Sequence, residues 1–282
     1  MTGNHVIGNS SGRFPVRFFV LCSLAILSTA FFFAPFAPVN ANPMTATATP
    51  SVTGSQTGIL VPLYSSPTDG SWAALIQAKL TYHSVAMIAI INPQNGPGSN
   101  ASLQYSIGIQ QLQAAGIMVL GYVATGHATI PIASAEQNIA DYWWWYHVNG
   151  TMFDEMSSES GHEGYYSTLN AYAKSLGMTY TVGNPGGAIS STYIGIMNTL
   201  IVYENSGLPN ATSIASLYQG YPRTNFAVIS YGIGLGQPRS VVAGIATAAN
   251  YVYFTNSTLP NPYRSLPGYF MTEVSLLSIK RR

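Results

Sequence analysis

Apolar runs and amphipathic stretches alternate along the chain from residue 58 onward. Each run ends in Gly, Pro, Asn or Tyr, and a stretch with helical spacing follows it. The runs are apolar throughout, which is typical of parallel strands that are covered on both faces. They are GILVPLY (58–64), SVAMIAIINP (84–93), IMVLGYVATG (117–126), GTMFDEM (150–156), TYTVGNPGG (179–187), TLIVYENSG (199–207), FAVISYGIG (226–234) and YVYFTN (251–256).

Eight strand–helix units in about 225 residues predict an α/β fold of the (β/α)8, TIM-barrel type. We assign it to a single domain, residues 58–282. An open, doubly wound sheet is the alternative. No G-x-G-x-x-G motif follows the first strand and the chain has no Walker loop, so a nucleotide-binding open sheet loses support.

The first 41 residues differ in composition from the rest. Arg13 and Arg17 precede the apolar run FFVLCSLAILSTAFFF (18–33), and small residues follow at Val39 and Ala41. This order predicts a secretory signal peptide, with an uncleaved membrane anchor as the alternative. Residues 42–57 are rich in Thr, Ala and Pro and are predicted to be a linker. We therefore expect an extracellular protein, or one held at the outer face of the cell membrane.

Charged residues make up only 7% of the chain, and the net charge is +1. A nearly neutral chain has no basic field for nucleic acid, so no nucleic-acid partner is expected. The histidines and acids lack the spacing of metal ligands, and we expect neither a metal nor another cofactor.

In a barrel of this type the functional groups lie at the carboxyl ends of the strands. The predicted strand ends carry acids, amides, hydroxyls and aromatic rings, and neither Arg nor Lys. Such a neutral, aromatic rim suits a sugar better than a phosphate ester. The candidates for substrate binding are Tyr64, Asn92, Tyr122, Thr125, His127, Asn184, Tyr231 and Thr255.

Three of the nine acids of the chain fall on this rim: Asp154, Glu155 and Glu204. A set of carboxylates suits glycoside hydrolysis, in which one acid donates a proton and another acts as nucleophile or base. The alternative is a structural role in capping a helix or pairing with a base. Side chains alternate along a strand, so Asp154 and Glu155 do not point the same way. We predict Glu155 and Glu204 as the direct pair, with Asp154 tuning one of them, and leave the identity of the acid open.

Several motifs in a fixed order resemble those of the spherulin-4 family, also called spherulation-specific family 4 or glycoside hydrolase family 135. They are GILVPLY, INPQNGPG, a strand ending in FDE, NPG after the fifth strand, a strand ending in YE, and NPYRSLPGYF. The resemblance covers about residues 58–270. It implies a barrel and secreted hydrolysis of an α-1,4-linked N-acetylgalactosamine polymer of the galactosaminogalactan kind. The acidic site residues of the family correspond to Asp154, Glu155 and Glu204.

The leading hypothesis is a metal-independent glycoside hydrolase that acts on an amino-sugar polysaccharide. We expect a monomer that contacts the membrane only through an uncleaved N-terminal segment. A non-catalytic wall or coat protein that binds polysaccharide on the same barrel is the alternative. A deacetylase is a weaker third hypothesis, because the chain lacks a set of metal ligands.

Overall fold

The computed structural model describes residues 56–234 and 239–279. The predicted signal or anchor segment, and the predicted linker up to residue 55, lie outside the described residues. The last linker residues already pack on the barrel, since Thr57 is buried and accepts a hydrogen bond from Arg223 at 3.0 Å. Within the described part of the chain, no helix is long and apolar enough to cross a membrane.

Eight parallel strands and seven α-helices make up the described fold. The strands are β1 (Gly58–Leu63), β2 (Met87–Ile91), β3 (Met118–Ala124), β4 (Gly150–Asp154), β5 (Tyr180–Gly183), β6 (Thr199–Ser206), β7 (Phe226–Tyr231) and β8 (Tyr251–Phe254). The helices are α1 (Gly70–Thr81), α2 (Leu103–Ala114), α3 (Ile132–Tyr146), α4 (Glu163–Ser175), α5 (Ala211–Leu217), α6 (Arg239–Ala248) and α7 (Phe270–Ser278).

Each strand pairs with the next one in chain order, and β8 pairs with β1 to close the barrel. The strand residues are almost all buried, because side chains fill the interior and helices cover the outside. This closed sheet confirms the predicted (β/α)8 barrel and excludes the open, doubly wound alternative.

The connection between β5 and β6 departs from the regular pattern. The sequence predicts a short helix over STYIGIM (191–197), but the structure has only a 3-10 turn at Ser191–Tyr193. Ile194 leaves the turn in an extended conformation, and Gly195 follows at a φ of 94°. A φ in the left-handed region ends a right-handed helix, which explains why this one stops after a single turn.

The seam between β1 and β8 is short. Only Gly58 and Ile59 pair with β8, opposite Tyr251 and Val252. Beyond them, the backbone N–H of Phe254 donates to the side chain of Glu273 on α7, at 3.0 Å. A carboxyl group from the helix layer therefore satisfies a strand donor at the place where the barrel is closed.

Candidate active site

A cavity of about 480 Å³ opens at the carboxyl end of the barrel. Its lining combines two carboxylates, three asparagines and four tyrosines with an apolar segment of the loop after β8. The lining residues are Tyr64, Asn92, Asn95, Tyr122, Asp154, Glu204, Tyr231, Leu259, Pro260, Asn261, Pro262 and Tyr263. None of them is basic, so the lining offers no cation to an anionic substrate.

Asp154 is the last residue of β4 and points into this cavity. The phenol of Tyr122 on β3 hydrogen-bonds its carboxyl group. Burial, and then the neighbouring charge of Glu204, raise the pKa of Asp154 to about 6, although hydrogen bonds from Tyr122 and Asn184 oppose the rise. This carboxyl group therefore holds a proton at mildly acidic pH, where an ordinary Asp does not.

Glu204 reaches the cavity because β6 contains a β-bulge. The pairing of β6 with β7 runs from Ile201 opposite Ala227 directly to Tyr203 opposite Val228, so one extra residue is inserted at Val202. Because side chains alternate along a strand, this insertion reverses the facing of every later residue. The bulge sets Glu204 opposite Ile229 and directs its carboxylate to the cavity.

Both oxygens of Glu204 accept hydrogen bonds. Oε1 accepts from the phenol of Tyr263, which lies in the loop between β8 and α7. Oε2 accepts from Asn184, the residue that follows β5. Burial and the nearby charge of Glu204 raise the pKa of Tyr263, so the phenol keeps the proton that it donates. Two donors thus hold the Glu204 carboxylate in one orientation.

Asn184 joins the two carboxylates. Its Nδ2 donates to Asp154 Oδ1 at 2.7 Å and to Glu204 Oε2 at 2.5 Å. Its own Oδ1 accepts from the Gly186 N–H at 3.0 Å, which fixes the orientation of the carboxamide. Since both carboxylate oxygens bond to the same nitrogen, they lie within about 5 Å of each other. Asn184 therefore sets the spacing of the pair.

Tyrosine rings form the cavity wall beside these carboxylates. The ring of Tyr64, just after β1, makes edge-on contacts with Tyr122 and Tyr263, with ring centroids 5.9 and 5.6 Å apart. Burial and the charges of Asp154 and Glu204 raise the pKa of Tyr64 well above its ordinary value. The phenol stays protonated, and the rings offer apolar faces next to hydroxyl groups.

Within residues 56–234 and 239–279, no group of three or more His, Cys, Asp or Glu side chains is placed to hold a metal ion. The two cavity carboxylates are instead bonded to phenol and amide donors. Such bonds suit groups that exchange protons or attack carbon.

Comparison with known proteins places the chain in a family. The model of spherulation-specific family 4 matches residues 58–277. The chain belongs to this family. Spherulin-4 of Physarum polycephalum is 27% identical over 231 residues, which are 77% of this chain and 69% of that protein. The family resemblance predicted from the motifs is thus confirmed.

The barrel of this spherulation-specific family 4 chain also aligns with the crystal structure of Aspergillus clavatus Sph3 in complex with GalNAc. The TM-score is 0.73 at 23% identity, and the alignment covers 80% of this chain and 99% of that one. The match supports the same closed barrel.

Glu155, which the sequence predicts as a direct catalytic residue, does not line the cavity. It follows the last residue of β4, its side chain is exposed, and its φ is 50°. Its carbonyl oxygen accepts from the His127 N–H at 2.7 Å and from the Thr125 hydroxyl at 2.9 Å. The structure thus brings Asp154 and Glu204 together, instead of the predicted pair of Glu155 and Glu204.

Replacement of Glu155 by Gly should give a more stable protein than replacement by Ala, by about 1 kcal/mol. The left-handed conformation suits Gly and strains a residue with a Cβ, and this outweighs the greater flexibility of Gly in the unfolded chain. Urea unfolding of both variants at neutral pH measures the difference. An Ala variant as stable as the Gly variant would contradict this backbone geometry. Both variants lack the carboxylate, so equal losses of activity would assign a role to the side chain.

The other predicted substrate-binding residues fall into two groups. Tyr64, Asn92, Tyr122 and Tyr231 line the cavity, and Asn184 lies buried beneath the two carboxylates. Thr125, His127 and Thr255 do not line it. Thr125 and Thr255 are fully buried and bond to backbone groups, and His127 is exposed. At Thr125 and Thr255 the hydroxyl supports the loops, because a buried hydroxyl needs a partner and the nearest ones are backbone atoms.

Sequence reasoning did not select the part of the cavity that comes from the loop after β8. Leu259, Pro260, Asn261, Pro262 and Tyr263 all lie in this loop. A signal was present, since a Pro- and Asn-rich segment follows a strand at the functional end of the barrel. The motif NPYRSLPGYF contains three of these residues and contributed to the family resemblance.

Proposed function

We propose that this protein is a glycoside hydrolase that cleaves a polysaccharide containing N-acetylhexosamine. The observation that carries the proposal is the amide of Asn184 bonded to both Asp154 and Glu204, which sets two carboxyl groups side by side in a tyrosine-lined cavity whose lining contains no basic residue. Membership of spherulation-specific family 4 supports it, as does the barrel shared with Sph3, which was solved with GalNAc. The substrate class we favour is an α-1,4-linked N-acetylgalactosamine polymer of the galactosaminogalactan type, cleaved within the chain.

The two carboxyl groups receive different roles from their surroundings. Asp154 holds a proton at mildly acidic pH, because burial and the charge of Glu204 raise its pKa to about 6. It is therefore the general acid. Glu204 has a donor on each oxygen and is the carboxylate that faces the sugar carbon. Neighbouring acids in unlike surroundings divide the acid and base work in this way.

The spacing of the pair favours a two-step mechanism. In the first step, a Glu204 oxygen bonds to the anomeric carbon, the glycosidic C–O bond breaks, and the leaving oxygen takes the proton of Asp154. In the second step, Asp154 accepts a proton from water, the water oxygen bonds to the anomeric carbon, and the bond to Glu204 breaks. Carboxyl groups about 5 Å apart are typical of this route, whereas inverting enzymes leave a wider gap for water.

We expect hydrolysis with retention of anomeric configuration. The Asn184 amide holds the two carboxylate oxygens that it bridges within about 5 Å, which is closer than the gap that inverting enzymes leave for water. Proton NMR of the earliest product from an α-linked N-acetylgalactosamine oligomer measures this, because α and β anomers have distinct anomeric signals. The α anomer should come first and then mutarotate. Initial release of the β anomer would overturn the two-step mechanism while leaving the hydrolase proposal intact.

Release of reducing ends from a panel of hexosamine polysaccharides tests the function itself. The full chain should degrade at least one acetylated polymer, and mass spectrometry of the products identifies the unit that is cleaved. Binding of such polymers without release at any pH from 4 to 8 would favour the non-catalytic wall or coat protein, which the same tyrosine-lined cavity also suits.

Export is the second part of the proposal. The basic and apolar N-terminal segment supports it, and so does a polymeric substrate, which lies outside cells. N-terminal sequencing of the protein from the culture medium tests it. A mature chain that begins near residue 42 is the expected result, whereas protein found only inside the cell would contradict export.

A further inference from the structure

Four Asn-x-Ser/Thr motifs, the acceptor sequence for N-linked glycans, lie in the barrel domain. They are Asn100-Ala101-Ser102, Asn149-Gly150-Thr151, Asn210-Ala211-Thr212 and Asn256-Ser257-Thr258. A glycan is bulky and needs an acceptor side chain at the protein surface. The fold therefore decides which of the four motifs has room for one.

Three of the four acceptor asparagines are exposed: Asn100, Asn210 and Asn256. Asn210 caps α5 through Oδ1, which accepts from the Ser213 N–H at 3.1 Å, so a sugar on its Nδ2 leaves the cap intact. Within the described residues, the Nδ2 of Asn100 donates only to the hydroxyl of the neighbouring Ser99, at 3.3 Å, and Asn256 makes no side-chain hydrogen bond. A glycan at these positions would break no bond that supports the fold.

Asn149, in contrast, is half-buried at the amino end of the barrel. Its Oδ1 accepts from the Val119 N–H at 2.8 Å and from Gln113 Nε2 at 3.2 Å. Thr151, the hydroxyl residue of this motif, is fully buried in β4 and donates to the Gly121 carbonyl at 3.0 Å. The folded barrel uses this motif for its own hydrogen bonds, and we expect no glycan there.

The three exposed acceptors share one face of the barrel. Each lies in a loop that follows a strand, namely β2, β6 or β8, whereas Asn149 precedes β4 at the opposite end. The loops after β2 and β8 also line the cavity, through Asn95 and Leu259, but Asn100 and Asn256 do not line it. Glycans on Asn100 and Asn256 would therefore lie beside the opening of the cavity without filling it.

The protein surface has little charge to keep it hydrated. Charged residues make up 7% of the chain, against about 25% in an ordinary globular domain. Large apolar side chains are also exposed, among them Leu259 at the cavity opening, which is 66% exposed. Low charge and exposed apolar side chains favour association between molecules. Attached sugars offset both, because they are strongly hydrated and bulky.

We propose that Asn100, Asn210 and Asn256 carry N-linked glycans, and that these glycans keep the exported protein soluble. In each transfer, the Asn Nδ2 bonds to C1 of a sugar held on a lipid-linked phosphate donor. The bond from C1 to the phosphate oxygen breaks, the lipid phosphate leaves with its electron pair, and one Nδ2 proton passes to the solvent. The inference rests on the export part of the proposed function, because the transferring enzymes act on chains that cross a membrane.

Glycopeptide mass spectrometry of the full chain, secreted by a eukaryotic host, tests the proposal. Peptides that contain Asn100, Asn210 and Asn256 should carry glycans, and the peptide that contains Asn149 should be unmodified. Thr258→Ala and Thr258→Ser form a matched pair, since only the Ser variant keeps the acceptor hydroxyl. Thr258 is exposed, so neither change disturbs the barrel. The Ala variant should lose the mass of one glycan, and the Ser variant should keep it.

The role in solubility is tested with two triple variants. Ser102→Ala, Thr212→Ala and Thr258→Ala together remove all three acceptor hydroxyls, whereas Ser102→Thr, Thr212→Ser and Thr258→Ser together keep them. Light scattering of the two purified proteins against concentration measures their association. The Ala variant should begin to scatter at a lower concentration than its matched control. Equal onset in the two proteins would overturn the role in solubility.

Failure of export and failure of the inference give different results. In a second arm, an unrelated cleavable signal peptide replaces residues 1–41, and the secreted chain keeps the whole described barrel. Retention of the full chain inside the cell, with glycans on the three positions in the second arm, would refute export and keep the inference. A secreted protein with a bare acceptor at any of the three exposed positions, or with a glycan on Asn149, would overturn the inference.

Discussion

Asp154→Asn and Glu204→Gln should each lower the rate of polymer hydrolysis by at least about 100-fold, and for different chemical reasons. Loss of the general acid should lower kcat by about 100-fold to 10,000-fold. Loss of the nucleophile removes the covalent step altogether, so the effect of Glu204→Gln should be at least as large. Initial rates of reducing-end release by purified variants measure both.

A substrate with an activated leaving group separates the two roles. An aryl group departs without a proton, so Asp154→Asn should give a first burst of aryl release at close to the wild-type rate and then turn over slowly, because the second step has lost its base. Glu204→Gln should give no burst. Azide should restore turnover in the acid variant by attacking the glycosyl intermediate in place of activated water. The opposite pattern, with aryl release in Glu204→Gln and none in Asp154→Asn, would reverse the assignment of acid and nucleophile.

The pH dependence of kcat/KM gives an independent test of the acid. The pKa of Asp154 is raised to about 6, mainly by burial and then by the charge of Glu204. The acid works only while protonated, so wild-type kcat/KM should fall as pH rises through about 6. The remaining activity of Asp154→Asn should lack this alkaline limb. If the fall in kcat/KM above pH 6 persists unchanged in the variant, a group other than Asp154 causes it.

Two controls test whether these losses of activity come from the missing catalytic group and not from a disturbed fold. Glu136→Gln changes an acid on α3 that lies outside the cavity, and it should keep full activity. Asp154→Asn should be at least as stable as the wild type at pH 7, because a carboxyl with a raised pKa destabilises the fold once it ionises. Unfolding of the variant at pH 7 under milder conditions than the wild type would therefore contradict the pKa argument.

The pattern of apolar runs was sufficient to predict the barrel. The barrel in turn predicts which residues lie at the carboxyl ends of its strands. Asp154, Asn184 and Tyr122 were selected in this way, because each lies within two residues of a strand end and needs no long-range information. Glu204 was also selected, but its facing depends on the extra residue at Val202. An insertion in strand register leaves no signature in the first half of β6, because all the residues from Thr199 to Val202 are buried.

Loops determine the positions of the residues that the structure places otherwise than the sequence suggests. Glu155 follows Asp154 directly, and alternation along a strand left open which of the two faces the cavity. The chain turns into the left-handed region at Glu155 and carries its side chain outward. Tyr263 lies 59 residues from its partner Glu204, in a loop without periodic pattern. Such contacts depend on the path of a loop through space, which local composition does not encode.

Glu273 should make the stability of the whole barrel depend on pH. The residue is 3% exposed, and its carboxyl group lies at the seam between β1 and β8. Oε1 accepts from the Phe254 N–H, and Oε2 has no hydrogen-bond partner among residues 56–234 and 239–279. Burial raises the pKa of Glu273 well above its ordinary value, although the Phe254 bond opposes the rise. The group is therefore neutral in the folded protein under conditions where it ionises in the unfolded chain.

The direction of the pH dependence follows from the higher pKa of Glu273 in the folded state than in the unfolded chain. An acid with a raised pKa in the folded state contributes its full stability below the unfolded pKa, about 4.3, and loses it as pH rises towards the folded pKa. In that interval the unfolded chain releases a proton that the folded barrel retains. This group alone should lower the free energy of unfolding by about 1.4 kcal/mol for each pH unit.

Glu273→Gln removes this dependence while keeping the seam bond, since the amide oxygen still accepts from Phe254 and the side chain is neutral at every pH. The variant should match the wild type near pH 4 and exceed it increasingly at higher pH, by about 1.4 kcal/mol per unit until the folded pKa is reached. Urea unfolding of both proteins between pH 4 and 8 measures the difference, in which contributions common to both cancel. Glu273→Ala should instead be less stable at pH 4 by about 1–3 kcal/mol, because it leaves a buried N–H without an acceptor. If the free energy of unfolding changes with pH in the same way in Glu273→Gln and in the wild type, the Glu273 carboxyl group is not held neutral. The barrel would then close around an ionised group.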